Sequence, residues 1–314
     1  MEGLRPHSRI ESLKVRAFSG DTFSPTWFRP ADVPTLRSLG FYRCRCLRSL
    51  SIPYLASLEQ LEIYQVGIEC LTTFADGIQA GSTGGDRAQH ASSRISCSNG
   101  LASPAFTRLT VLQLRSCHKL ISPDQILSPE NLPSVKSIVI TCCSGLVSMP
   151  VHSFVGFVHL QDLKIRDRGK LVCPREMILP PSLQRLSIEK CGELDRSFPA
   201  CLKNLTSLTL LQLESCHNVK SIPLNSNTST NMLKCLVLRW CRKLSSIGGS
   251  RSLSSIQHVQ VSGCPKLTDE VKQPLEKKEL RTKEKELLEF LNPWWRCALH
   301  SSPSLQRPFA DGYM

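Results

Sequence analysis

The sequence is poor in several features that mark particular classes of protein. Only 6% of its 314 residues are aromatic, and no run of 18 or more apolar residues occurs, so no transmembrane helix is expected. The first ten residues, MEGLRPHSRI, contain neither an apolar core nor a small-residue cleavage site, which argues against a secretory signal. We therefore expect a cytoplasmic protein, with a nuclear location also open, whose fifteen cysteines are free thiols.

Motifs for cofactors, metals and catalysis are missing as well. No G-x-x-x-x-G-K-[ST] phosphate loop occurs. The neighbouring cysteines at 44–46 and 142–143 lack the C-x₂-C spacing and the second cysteine pair of a zinc site. The Cys-His pairs at 117–118 and 216–217 lack an orienting third group and an oxyanion site. The sequence thus predicts no catalytic residue, no metal and no cofactor, and so no enzyme.

The chain instead contains one short pattern many times. The nonamer LQLRSCHKL begins at Leu112, and LQLESCHNV begins 99 residues later at Leu211. Both belong to the template apolar-x-x-apolar-x-apolar-x-x-Cys. Successive copies start 22 to 26 residues apart, except for one step of 51 residues. The ten copies start at Ile10, Leu36, Leu58, Leu109, Val135, Leu160, Leu183, Leu208, Leu233 and Ile256.

The template predicts the architecture. Its apolar-x-apolar core has a period of two, so each copy contains a short strand with two side chains pointing into the core. One such strand cannot bury its face alone, and stacked copies form a curved solenoid with a parallel sheet on the concave side. We predict an α/β solenoid, a leucine-rich-repeat horseshoe of ten to eleven repeats over residues 1–267, with short helices, 3-10 turns and loops on the convex side. Residues 77–100, rich in Gly and Ser, are predicted to form a flexible insertion, and residues 268–314 a charged helical cap and tail.

The ninth template position is a cysteine in seven of the ten copies. The chain turns inward directly after each strand, and a small side chain that packs like a hydrophobe and offers a weak S–H donor suits that turn. We therefore predict a structural role for Cys44, Cys117, Cys143, Cys191, Cys216, Cys241 and Cys264.

One N-terminal segment resembles a known family. LRPHSRIESLKVRAFSGDTFSPTW, at residues 4–27, is similar to a segment in the repeat domain of plant nucleotide-binding leucine-rich-repeat (NB-LRR) immune receptors, particularly the coiled-coil class of grasses. The SIP and SMP steps at 51–53, 148–150 and 221–223, and the phrase at 198–216, extend the resemblance to about residues 4–267. The segment departs from the family pattern at residues 24–26. It matches at Leu4, Pro6, His7, Gly20, Phe23 and Trp27.

The resemblance implies a non-catalytic protein-recognition scaffold, like the effector-sensing and autoinhibitory region of such a receptor. Its partner would be a pathogen effector, a guarded host protein or another receptor domain. The family's nucleotide-binding domain is absent, so nucleotide binding is not implied. The alternative is the substrate-recognition module of a ubiquitin-ligase adaptor, which is disfavoured because only nine residues precede the first repeat.

The seventh template position, an outward-facing strand position, is the expected binding surface. Acidic residues interrupt its basic ones, so despite a net charge of +13 we predict no nucleic-acid partner, and also no membrane insertion. We expect these side chains to be exposed, so that replacing Arg115 and Arg166 together by Glu would leave the melting temperature nearly unchanged. The predicted protein-binding residues are Arg16, Tyr42, Tyr64, Arg115, Arg166, Glu189, Glu214, Arg239 and Trp240.

Overall fold

The computed structural model describes residues 3, 5–74, 106–123, 126–147, 153–166, 178–191, 200–202, 204–224, 232–248 and 256–268. The predicted insertion at 77–100, the SMP step at 148–150 and the predicted cap beyond residue 268 lie outside these ranges. Within them the chain forms short strands and two 3-10 turns, Ser153–Gly156 and Ala200–Leu202. The strands are β1 (Ser12–Arg16), β2 (Ser38–Tyr42), β3 (Ser49–Pro53), β4 (Gln60–Tyr64), β5 (Cys70–Phe74), β6 (Val111–Arg115), β7 (Ser137–Thr141), β8 (Asp162–Arg166), β9 (Arg185–Glu189), β10 (Leu210–Glu214), β11 (Ser221–Ile222), β12 (Cys235–Arg239), β13 (Ser246–Ile247) and β14 (His258–Ser262).

Ten of these strands form one parallel sheet, in the order β1-β2-β4-β6-β7-β8-β9-β10-β12-β14. Each of these strands consists of residues three to seven of one template copy. Each strand pairs with its neighbours so that equivalent template positions lie side by side. β4 pairs directly with β6, so the 51-residue step between their copies does not interrupt the sheet. The predicted leucine-rich-repeat solenoid is confirmed.

The SIP steps form a second, smaller set of strands. The sequence pattern predicted no strand at these steps, whereas β3 pairs with β5 and β11 pairs with β13 in parallel. Leu50 and Ile52 of β3 are both fully buried, which is the period-two pattern of a strand with one face in the core. The solenoid therefore has hydrogen-bonded ladders on two of its sides.

The cysteines of the ninth position are all buried, as predicted, and none of them forms a disulfide in the structure. The Cys216 thiol shows the shared arrangement. Its Sγ lies 3.3 Å from the carbonyl oxygen of Ile188 in the preceding repeat and 3.6 Å from that of Glu214 in its own strand. Cys191 contacts the carbonyl oxygens of Ile165 and Glu189 in the same way. The thiol donor thus links successive repeats at the point where each strand ends.

The eighth template position adopts a left-handed backbone. Ser215 has φ of 54°, and its N–H donates to the carbonyl oxygen of Arg239 at 2.7 Å, which extends the strand ladder by one bond. A non-glycine residue in this conformation is strained by about 1 kcal/mol or more. The same left-handed φ is found at Ala17, Arg43, Gln65, Ser116, Cys142, Lys190 and Trp240.

Ser215→Gly is therefore expected to stabilise the protein. Glycine adopts the left-handed conformation without strain, and this gain exceeds its larger chain entropy in the unfolded state. We expect the melting temperature to rise by about 1–3 °C in a thermal melt followed by circular dichroism. The matched control is Ser12→Gly in β1, where the backbone is extended and the same substitution should lower the melting temperature. A fall in both variants would show that the left-handed turn is not strained.

An aromatic cluster closes the N-terminal end of the described solenoid. The ring of Phe23 packs edge-on against Phe41 at 5.1 Å and against Phe28 at 5.3 Å between centroids. Phe18 and Trp27 pack against Phe23 from other directions. Edge-to-face aromatic pairs stabilise a core beyond their buried area. The segment that carries the family resemblance is therefore a structural end of the first repeat.

Candidate protein-binding surface

The seventh template residues form one row across the large sheet. The strand registers pair Arg16 with Tyr42, Tyr42 with Tyr64, and Tyr64 with Arg115. Residues that are up to 246 positions apart in the sequence (Arg16 and Ser262) thus lie along one line. From β1 to β14 the row reads Arg16, Tyr42, Tyr64, Arg115, Thr141, Arg166, Glu189, Glu214, Arg239 and Ser262.

The exposure of this row differs from the expectation. Arg16 is exposed, and Trp240, in the left-handed turn beside the row, is 55% exposed. Glu189 is only 3% exposed, because side chains on the inner face of a solenoid converge and shield one another. The remaining predicted residues are half-buried, namely Tyr42, Tyr64, Arg115, Arg166, Glu214 and Arg239.

Ion pairs join neighbouring strands in the C-terminal half of the row. Arg166 Nε lies 3.0 Å from Glu189 Oε1, and the two side chains are 13% and 4% exposed. Arg239 Nη1 lies 3.7 Å from Glu214 Oε2, and Arg239 Nη2 donates a hydrogen bond of 2.6 Å to Gln260. Burial, followed by the charge of Glu214, raises the pKa of Glu189. Arg166 and Arg239 therefore each pair with a glutamate across adjacent strands, while Glu189 and Glu214 repel each other.

The N-terminal part of the row is aromatic. The Tyr42 hydroxyl donates a hydrogen bond to Glu62, and burial together with this bond raises the pKa of Tyr42. The Arg16 guanidinium lies over the Tyr42 ring, 5.6 Å from its centroid, in a cation–π contact. Tyr64 lies on the next strand. This part of the surface presents aromatic faces beside a cation, the combination most common at the centres of protein interfaces.

The structure adds a group of eight buried polar residues, of which only Glu189 was among the predicted binding residues. Every buried polar or charged residue in the described ranges lies on the outward face of the five adjacent strands β6 to β10. Burial is the main cause that lowers the pKa of Lys164 to about 8, and the charge of Glu189 opposes it. The sequence feature that could have identified this group is the occurrence of polar residues at the third and fifth template positions of these copies. The eight residues are Gln113, Ser137, Thr141, Asp162, Lys164, Ser187, Glu189 and Gln212.

A separate cavity lies at the rim, before the starts of β6 and β7. It has a volume of about 440 Å³. Its acidic residue, Glu59, lies 3.4 Å from both Arg37 and Arg108, so its charge is already paired. The lining shows no cysteine and no pair of carboxylates with which to build a catalytic site. It consists of Glu59, Thr107, Arg108, Thr110, Ser134, Lys136 and His159.

The described ranges contain neither a metal-binding cluster nor a membrane-spanning helix. No three His, Cys, Asp or Glu side chains there are grouped so that they could bind a metal ion. No helix in the same ranges has the length and apolar character needed to cross a bilayer. His118 and His217, the histidines beside the ninth-position cysteines, are exposed, and His118 Nδ1 lies 3.0 Å from the Ser144 hydroxyl.

A comparison with known families gave a match at the N-terminal repeats. Residues 1–66 match the family model described as R13L1/DRL21 LRRs. The matched region contains β1, β2, β4 and the aromatic cluster around Phe23. The other seven template copies continue the same strand and the same register beyond the match. The chain therefore has the leucine-rich-repeat solenoid fold, and the family match covers its first 66 residues.

Proposed function

We propose that the chain is a non-catalytic protein-recognition scaffold that acts in plant defence, in the way of the effector-sensing and autoinhibitory repeat region of an intracellular NB-LRR receptor. The observation that carries the proposal is the row across ten strands in which eight of the ten side chains are Arg, Tyr or Glu, with Trp240 beside it. The R13L1/DRL21 match over residues 1–66 supports the defence role.

The dimensions and chemistry of the row suit a protein partner. Ten strands about 4.8 Å apart give a surface about 40 Å long, which is enough for a standard interface of about 800 Å² per partner. Arg, Tyr and Trp contribute most binding energy at interfaces because they bury large areas and make planar, multidentate contacts. The inward-facing residues are committed to the core, so recognition uses the outward-facing strand positions.

The partner is a pathogen effector, a guarded host protein or another domain of a receptor, and the binding takes place in the cytoplasm or nucleus. No cofactor takes part. If the repeats autoinhibit a receptor, the concave row must contact a receptor domain in the resting state and release it on activation.

Arg115→Glu combined with Trp240→Ala tests this proposal. Arg115 has no acidic neighbour in its row, and Trp240 is exposed, so the double variant is expected to fold. We expect it to bind the partner more than tenfold more weakly, a loss of at least about 1.4 kcal/mol. The measurement is quantitative affinity purification from a plant extract with the full chain as bait, followed by titration of the retained protein.

The matched control is Lys266→Glu combined with Val158→Ala. It makes the same change in charge and also shortens an exposed apolar side chain, but both residues lie off the concave strands. The control should retain the partner as the wild type does. Equal retention by the concave double variant would refute a binding site in this row.

A further inference from the structure

The middle of the concave face concentrates side chains that donate hydrogen bonds. The strand registers pair Arg115 with Thr141 and Thr141 with Arg166, and they place Gln113 and Lys164 on the same strands, two residues earlier. Thr141 therefore lies between two arginines whose strands are two spacings apart, about 10 Å between the backbones. We name Gln113, Arg115, Thr141, Lys164 and Arg166 the cationic cluster.

Positive charge is in excess at this cluster. β6 and β7 carry no acidic residue at all, and Asp162 of β8 is already bound by Arg185 through two hydrogen bonds. Glu189 pairs with Arg166 and with Lys190, whose Nζ lies 3.9 Å away. The acidic residues of the flanking strands are Glu62 of β4, opposite Gln113 and hydrogen-bonded by Tyr42, and Glu189 of β9. The three cationic side chains of the cluster therefore outnumber the two carboxylates beside it.

The cluster contains a buried donor that has no acceptor. Gln113 is 4% exposed, and its Nε2 has no hydrogen-bond partner in the described structure. A buried N–H without an acceptor costs about 1–3 kcal/mol, which an incoming oxygen atom would recover. Lys164, two strands away with Val139 between them, is also 4% exposed. Its charge is therefore poorly solvated and is stabilised by any anion that approaches.

We propose that the cationic cluster binds an anionic oxygen group, a carboxylate or a phosphate, on a peptide segment of the partner. Two guanidinium groups supply planar, charge-assisted hydrogen bonds, which is the usual mode of recognition of both groups. The buried side chains of Lys164 and Gln113 add further donors. In the strand register, Thr141 lies between the two arginines. The inference rests on the proposed function, since it specifies the chemistry of the partner at the same surface.

The test uses fluorescence anisotropy with the full chain and labelled peptides. The probes are deca-glutamate, its uncharged counterpart deca-glutamine, and a Gly-Ser peptide with and without three phosphoserines. We expect deca-glutamate or the phosphopeptide to bind and both uncharged peptides not to bind. Lys164→Met and Arg115→Gln should each weaken the binding at least fivefold. Lys164→Met is expected to fold, because it replaces a buried charge by an apolar side chain of similar length, and a thermal melt verifies this.

Two control variants separate a defined site from general attraction. Lys14→Met in β1 and Arg43→Gln in the turn after β2 remove the same charges elsewhere on the solenoid, and each should change the affinity less than twofold. Equal weakening by the control and cluster variants would overturn the inference, as would binding of no charged peptide. Whichever charged peptide binds more tightly identifies the group as carboxylate or phosphate.

The outcome also distinguishes this inference from the proposed function. If Lys164→Met retains the partner as the wild type does while Arg115→Glu with Trp240→Ala loses it, the anion site is refuted and the scaffold stands. If neither variant affects retention, the concave row itself is refuted.

Discussion

Leu213→Asp is expected to unfold most of the protein under conditions where the wild type is folded. Leu213 is the sixth template residue of β10, is fully buried, and lies between Ile188 and Leu238 of the neighbouring strands. Loss of a buried leucine costs about 2–5 kcal/mol, and an unpaired buried carboxylate adds several more. A natural domain is stable by only about 5–15 kcal/mol. Because each repeat is stabilised by stacking on its neighbours, the loss spreads to the adjacent repeats.

Urea unfolding followed by circular dichroism measures the effect. The control is His217→Asp, which introduces the same side chain four residues later at an exposed site and should change the free energy of unfolding by less than about 0.5 kcal/mol. A Leu213→Asp variant with the unfolding midpoint of the wild type would show that the sixth template position does not face the core.

Arg166→Glu is expected to destabilise the protein by about 3 kcal/mol, because removing one partner leaves a buried charge uncompensated. The new carboxylate would lie beside Glu189, whose side chain is 4% exposed and 3.0 Å from the arginine it replaces. This result is the opposite of the tolerance that the sequence predicts for an exposed seventh template position. The measurement is again the free energy of unfolding in urea at neutral pH.

Two further measurements identify the cause. Adding Glu189→Gln to Arg166→Glu removes the like-charge pair and should restore more than half of the lost stability. Burial already raises the pKa of Glu189, and a neighbouring carboxylate raises it further. An acidic group whose pKa is higher in the folded state than in the unfolded state destabilises the folded state when it is ionised. The loss of stability caused by Arg166→Glu should therefore shrink as the pH falls and Glu189 becomes protonated. If neither Glu189→Gln nor a lower pH reduces the loss of stability, its cause is the lost packing of the Arg166 side chain and not the charge.

The repeat pattern was sufficient to predict the parallel sheet, its ten strands and the burial of the ninth-position cysteines. The reason is that these features depend on local spacing. A period of two decides which side chains of a five-residue strand face inward, and the return of Leu, Leu and Cys at the same offsets aligns successive copies. The predicted domain boundaries and the binding role of the concave row remain predictions.

The burial of the concave row was decided by the tertiary structure. Glu189 and Lys164 have outward-facing positions in their own strands and are nonetheless 3% and 4% exposed. Their exposure depends on the side chains of the strands on either side, which come from copies about 25 residues away. The pairing of β4 with β6 across a 51-residue step, and the second ladder formed by β3 and β5, likewise depend on contacts between copies. The sequence of a single template copy does not specify which side chains of the adjacent repeats will contact it. The stacking of repeats therefore determines which polar residues become buried.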